Sequence, residues 1–194
     1  MGGGGMDTVV APTQEMVWVQ RARGGDTRAF EALLRRYERQ IYGFTYRMMG
    51  NAADADDLMQ ETFIKAYRAL PRTADILYVS AWLHRIAANS CRDELRRRRR
   101  NRCDSWDATV HETAMLNSPE DGPESLMIQK EASERVQGVL NQMKPRNKQA
   151  LVLREYGGLS CEDIGTIMGV SHKAVKSTLF RAREEFRRYS AIMA

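Results

Sequence analysis

Nearly every segment of this chain repeats apolar residues at i, i+3, i+4 and i+7, and strand signals are scarce. That period belongs to helices with one apolar face, so the fold class expected is all-α. After Gly24-Gly25, Asp26 is placed to cap a helix whose inward set is Phe30, Leu33, Leu34, Tyr37, Ile41, Phe44 and Met48. This helix ends at Gly50-Asn51. Another runs from about Asp54 to Leu70 and stops at Pro71, which cannot continue a helix without losing a hydrogen bond. Residues 72–79 read as a loop or broken turn. Ser80 then caps a helix carrying Trp82, Leu83, Ile86, Ala87 and Leu95, which runs into Arg96 to Arg100. A helix from about Ser125 to Met143 turns Val136, Val139, Leu140 and Met143 inward. Pro145 restarts the chain, a helix carries Ala150, Leu151 and Tyr156, and Gly157-Gly158 ends it.

The charges are segregated. Lys plus Arg number 30 against 25 acids in 194 residues, a net charge of +5 that suits a partner rich in phosphate. Arg92 to Arg102 carries seven arginines, whereas Asp104 to Gln129 contains no Lys or Arg. Two basic modules joined by an acidic connector follow from that pattern. The expected division is a flexible leader over 1–12, a helical domain over 13–102, an acidic flexible linker over 103–124, and a second helical domain over 125–194. No apolar run is long enough to span a bilayer and no signal-peptide pattern opens the chain, so a cytoplasmic protein without membrane insertion is expected. Cys91, Cys103 and Cys161 are odd in number and widely spaced. With no paired Cys/His spacing, neither a structural zinc site nor any cofactor is expected. Cys161 falls in the first turn of a helix, but a reduced bystander thiol is the simpler reading.

Leu159 to Arg183 reads as two short helices around a tight turn. Ser160 can cap the first, with Asp163 three residues on as a variant of the capping box. Ile164, Ile167 and Met168 form its apolar stripe, and Gly169 stands where a left-handed stop is needed. Ser171 caps the second, and Val175, Leu179, Ala182 and Phe186 line its inner face. This is a helix-turn-helix, whose second helix enters a major groove. The outward positions of that helix are Ser171, His172, Lys173, Lys176, Ser177 and Arg181, all able to meet base edges or phosphate. A helical hairpin with a solvated basic face is the bland alternative.

Two other helices carry chemistry. Asp57 and Glu61 lie one turn apart on the Asp54–Leu70 helix, with Asp56, Gln60 and Arg68 nearby. An acidic first turn stabilised by the helix dipole would account for part of this. An acidic docking face for a basic protein surface is the functional reading. Metal-assisted phosphate chemistry would need a second acidic cluster and a glycine-rich phosphate cradle, and the sequence has neither, so no catalytic residue and no enzyme activity are expected. In the helix from Ser80, Arg85, Asn89, Arg92 and Arg96 extend along one side. Asn and Arg are shaped for adenine and guanine edges, and arginine also grips phosphate. The run of five arginines points around the whole helix and so serves positioning rather than reading. Trp82 and Leu83 are read as core.

Three motifs in order, D-A-D-D-L-M-Q-E-T-F-I-K-A-Y, W-L-H-R-I-A-A-N-S-C-R-D, and L-S-C-E-D-I-G through V-K-S-T-L-F-R-A-R, resemble bacterial RNA polymerase sigma factors of the extracytoplasmic-function group. The resemblance covers about residues 14–102 and 125–188. It implies that the helix with Asp54, Asp56, Asp57, Gln60, Glu61 and Phe63 docks on core RNA polymerase. It implies that the 72–79 loop and the helix with Arg85, Asn89, Arg92 and Arg96 open and read the minus-ten promoter element, holding one flipped base. The helix from Ser171 would read the minus-thirty-five element as duplex DNA, and the linker would thread the polymerase cleft. Members of this group are often held by an anti-sigma factor, which is therefore an expected partner. Gly165 sits mid-helix where alanine is usual, a local cost of about 1 kcal/mol. A stand-alone helix-turn-helix regulator would explain residues 146–188 but leave the acidic and arginine helices unused; an RNA-binding helical protein is a weaker rival.

Overall fold

The computed structural model describes residues 14–73, 76, 78–101 and 123–192. The leader, most of the acidic linker, and Cys103 lie outside the described residues. Among those described there are eight α-helices and one 3-10 turn.

The first domain is built on α2, Thr27–Met49. The Asp26 carboxylate accepts from the Arg28 and Ala29 amides at 3.0 and 3.2 Å, the cap expected from sequence. Leu33, Tyr37, Ile41, Phe44 and Met48 form the buried stripe. Across it lies α1, Gln14–Arg23, held where the Tyr37 hydroxyl donates to Glu15 at 2.9 Å. The next helix, α3, spans Ala52–Ala69 and starts slightly earlier than expected, because the Asn51 side chain caps it by accepting from the Asp54 amide at 2.8 Å. It winds into a 3-10 turn at Leu70–Arg72 that accommodates Pro71. Helix α4 covers Val79–Asn101. Ser80 therefore lies inside its first turn and is not the cap; its carbonyl accepts instead from Nδ1 of His84 at 2.8 Å.

The second domain begins with α5, Pro123–Gln142, so that Pro123 opens a helix rather than closing the linker. Helix α6 follows over Pro145–Glu155. Its entry residue Lys144 offers no side-chain cap, and the cap comes from far along the chain: Glu185 accepts from the Lys144 amide at 3.0 Å and from Asn147 Nδ2 at 2.5 Å. The last two helices are α7, Cys161–Met168, and α8, His172–Ile192. Ser160 and Asp163 form a reciprocal capping box, and Gly169 ends α7 at φ 65°, a left-handed conformation that costs glycine little. Gly165 is more than a weak helix former. A Cβ there would stand 2.8 Å from the Val170 carbonyl, so the bare backbone lets the turn fold back over α7.

The two domains pack on one another, with α2 against α5 and α6 and α4 against α7. Their buried apolar residues form one continuous cluster that runs from Val19 to Ala182. No helix among the described residues is long and apolar enough to cross a membrane.

Candidate nucleic-acid and protein interfaces

On α8 the inner face buries Val175, Leu179 and Ala182, which leaves the other face to solvent. Ser171, His172, Lys173, Lys176, Ser177 and Arg181 are all exposed, and Ser171 accepts from the Ala174 amide at 3.3 Å as the helix cap. One residue on this outer surface was missed. Phe180 is 68% exposed, a large apolar side chain set between Lys176, Ser177 and Arg181. Its signal in the sequence was its failure to fit the Val175, Leu179, Ala182, Phe186 stripe.

Helix α4 presents Arg85, Asn89 and Arg96 as exposed side chains on one side, with the half-buried Arg92 donating to Asn89 Oδ1 at 3.3 Å. The arginine run divides in two. Arg97 and Arg98 each donate to Glu94 at 2.7 Å, and Arg98 also pairs with Asp54 of α3. Hydrogen bonds from Arg97, then Arg98, outweigh burial and hold the Glu94 carboxyl down to about 2. Arg98 thus ties α4 to α3, whereas Arg97 pairs within α4. Tyr78, just ahead of α4, is 71% exposed and lines a cleft with Trp82 and Arg85.

On α3, Asp56, Asp57, Gln60 and Glu61 are exposed, and Glu61 pairs with Lys65 at 2.6 Å. Asp54 is less available. Burial raises its pKa, but hydrogen bonds from Arg98 and Asn51 more than reverse this and leave it lowered. Phe63 is only 5% exposed: it belongs to the core and contributes to this face only as a wall of the groove between α2 and α3. The apolar side chains that do reach the surface are Ile64 and Tyr67. With Phe30, Leu34, Met59 and Phe63 they line this groove, bordered by Glu31, Glu38, Gln60 and Arg68. Tyr67 meets Phe30 edge to face at 5.0 Å.

No group of three or more potential ligands among the described residues is placed to hold a metal ion. Cys91 is fully buried, and burial pushes its thiol up to about 12, so it is inert at neutral pH.

The acidic helix, the basic helix and the helix-turn-helix each fall within a family match. Residues 33–101 match Sigma-70 region 2, and residues 133–186 match Sigma-70, region 4. The RNA polymerase sigma-H factor of Pseudomonas aeruginosa is 37% identical over 176 residues, 88% of this chain and 91% of that protein. The ECF RNA polymerase sigma-E factor of Escherichia coli K12 is 34% identical over 174 residues, again 88% and 91%. The chain belongs to the extracytoplasmic-function sigma factors of the sigma-70 family. It is an alternative sigma factor that directs RNA polymerase to promoters, and the match to both regions disfavours a stand-alone helix-turn-helix regulator. In fold it resembles the sigma factor RpoE of Bartonella quintana, solved with the anti-sigma factor NepR, at a TM-score of 0.69 and 22% identity over 82% of this chain and 95% of that one.

Proposed function

We propose that this sigma factor divides its work among three exposed helical faces, with no catalysis of its own. The observation that carries the reading is their segregation by charge: acidic side chains beside an apolar groove on α3, arginine and asparagine on α4, and lysine, arginine and serine on α8. Asp56, Asp57, Gln60 and Glu61 dock on core RNA polymerase, with Ile64 and Tyr67 supplying apolar contact and Asp54 a secondary one. Arg85, Asn89, Arg92 and Arg96 engage the minus-ten element, where the exposed Tyr78 can stack on an extruded base. Ser171, His172, Lys173, Lys176, Ser177 and Arg181 read the minus-thirty-five duplex, and Phe180 offers an apolar surface to thymine methyl groups. The working units are residues 13–102 and 125–194, with 103–124 as the tether. An anti-sigma factor, as in the Bartonella complex, is the partner that restrains the protein, and both act in the cytoplasm.

The test is reconstitution. The full chain is mixed with core polymerase, the complex is isolated, and run-off transcripts are sequenced from genomic DNA. Transcripts that start at positions silent with core enzyme alone, below a shared two-part upstream sequence, are the expected result. Stable DNA binding with no polymerase association would overturn the assignment of α3.

A further inference from the structure

The junction between the two domains contains polar groups that a permanent core would not use. His84, on α4, is completely buried, and its ring meets Phe44 of α2 edge to face at 5.5 Å. Its Nδ1–H donates to the Ser80 carbonyl at 2.8 Å, which makes Nε2 the unprotonated nitrogen. Nε2 is buried with no hydrogen-bond partner. Above it lies Gly157, just past the end of α6 in the other domain, so close that a Cβ there would stand 3.2 Å from Nε2. The imidazole is thus roofed by backbone from the second domain, and a proton on Nε2 would find no acceptor among the described residues.

Among the described residues no carboxylate hydrogen-bonds the imidazole. From α2 comes Arg47, whose guanidinium lies 3.6 Å from the ring centroid of Tyr156. From α6 comes Lys148, buried and donating to Asn141 Oδ1 at 3.1 Å, with the Cys91 thiol of α4 beside it. Carboxylates of the neighbouring elements are engaged elsewhere: Glu61 of α3 pairs with Lys65, Glu155 of α6 with Arg183, and Asp163 of α7 bonds Ser160. None of these side chains hydrogen-bonds the imidazole. The junction therefore holds two cations and no anion bonded to His84.

We propose that His84 under Gly157 is a proton-sensitive clasp between the two domains, closed while the imidazole is neutral and released on acidification. Release would widen the cleft in which Tyr78, Trp82 and Arg85 now face Asp163, Thr166 and Ile167 of α7. A nucleic-acid strand entering that cleft meets the carboxylate of Asp163, which carries the same charge as a phosphate.

The sign follows from the burial. Desolvation pushes the His84 pKa below its ordinary value near 6.5 in the closed form. Closure is therefore undiminished above about 6.5, where the ring is neutral in both states, and is lost as the pH falls below that value. Burial likewise brings Lys148 down to about 8. It is protonated in both states below that pH, so the acid limb belongs to His84.

The experiment uses the full chain without polymerase or DNA, so its outcome is independent of the sigma-factor reading. Small-angle scattering is recorded between pH 8 and 5, with circular dichroism confirming that helix content holds. A single proton taken up only by the open form raises the open-to-closed ratio by up to about tenfold per pH unit below 6.5. His84→Phe, which keeps a ring against Phe44, should remain closed across this range. In parallel, the His84 Cε1–H resonance of the wild-type chain is followed by NMR, assigned with His111→Gln and His172→Gln. It should titrate below the ordinary histidine value near 6.5 and together with the change in radius of gyration. Expansion of equal size in His84→Phe, or titration of His84 with no accompanying expansion, would overturn the proposal. If His84→Phe does not fold, the wild-type NMR and scattering midpoints decide: coincidence supports the clasp and separation refutes it.

Discussion

Removing the carboxylate of Glu185 should test whether α6 depends on a cap from α8. The side chain is buried and makes two hydrogen bonds, to the Lys144 amide and to Asn147 Nδ2. A hydrogen bond to a charged group contributes about 1.5–3 kcal/mol, and loss of a helix N-cap typically costs about 1 kcal/mol. Lys144 is exposed, so water can take up its freed amide in the variant, which favours the low end of these values. Alanine adds back a few tenths of a kcal/mol in helix propensity. Glu185→Ala should therefore lose about 2 kcal/mol, equivalent to roughly 4–8 °C in Tm for a chain of this size. Glu185→Gln keeps the shape and one acceptor and should lose about 1 kcal/mol. Urea unfolding followed by circular dichroism measures both, with an unchanged m value showing that the difference lies in stability. A Glu185→Ala protein within about 0.5 kcal/mol of wild type would refute the capping argument.

Three further outcomes are expected. Asp57→Lys combined with Glu61→Lys should weaken core polymerase binding at least tenfold in a fluorescence titration. Its urea midpoint should barely move, because both residues are exposed and the lost Glu61–Lys65 pair is a surface one worth at most about 0.5 kcal/mol. Lys173→Ala should relax specificity at one base pair, at about 1–3 kcal/mol, whereas Lys176→Ala should weaken all promoter variants alike and reduce the salt slope by about one; equal effects of Lys173→Ala on every variant would reverse that assignment. Glu94 and Asp54 both have lowered pKa values, so their stabilisation is complete above about pH 4.5 and lost as the pH falls toward 2. The wild type should therefore lose stability between pH 5 and 3, by no more than about 1 kcal/mol because solvent screens both pairs, and Arg98→Met should lose less over the same interval, as read from urea midpoints.

The parts of this protein legible in its sequence were those decided within a few residues. Asp26 caps α2, Ser160 and Asp163 form a capping box, and Gly169 stops α7, because each acts on backbone groups no more than four positions away. The outward face of α8 was equally readable, since a helical period that assigns Val175, Leu179 and Ala182 to the core leaves Lys173, Lys176 and Arg181 outside it. Tertiary structure decided whatever depends on which distant groups meet. Phe63 is buried while Ile64 and Tyr67 stand exposed, because α2 and α4 cover one side of α3 and leave the other to solvent. Arg98 is taken up by Asp54, 44 positions away, which no reading of an arginine run could assign. Gly165 looked like a weak point in a helix until the Val170 carbonyl was seen to occupy the space a methyl group would need. Local sequence sets backbone hydrogen bonding and the direction of an apolar face. The desolvation and pairing of a charge are set by the elements packed against it, and those are known only once the chain has folded.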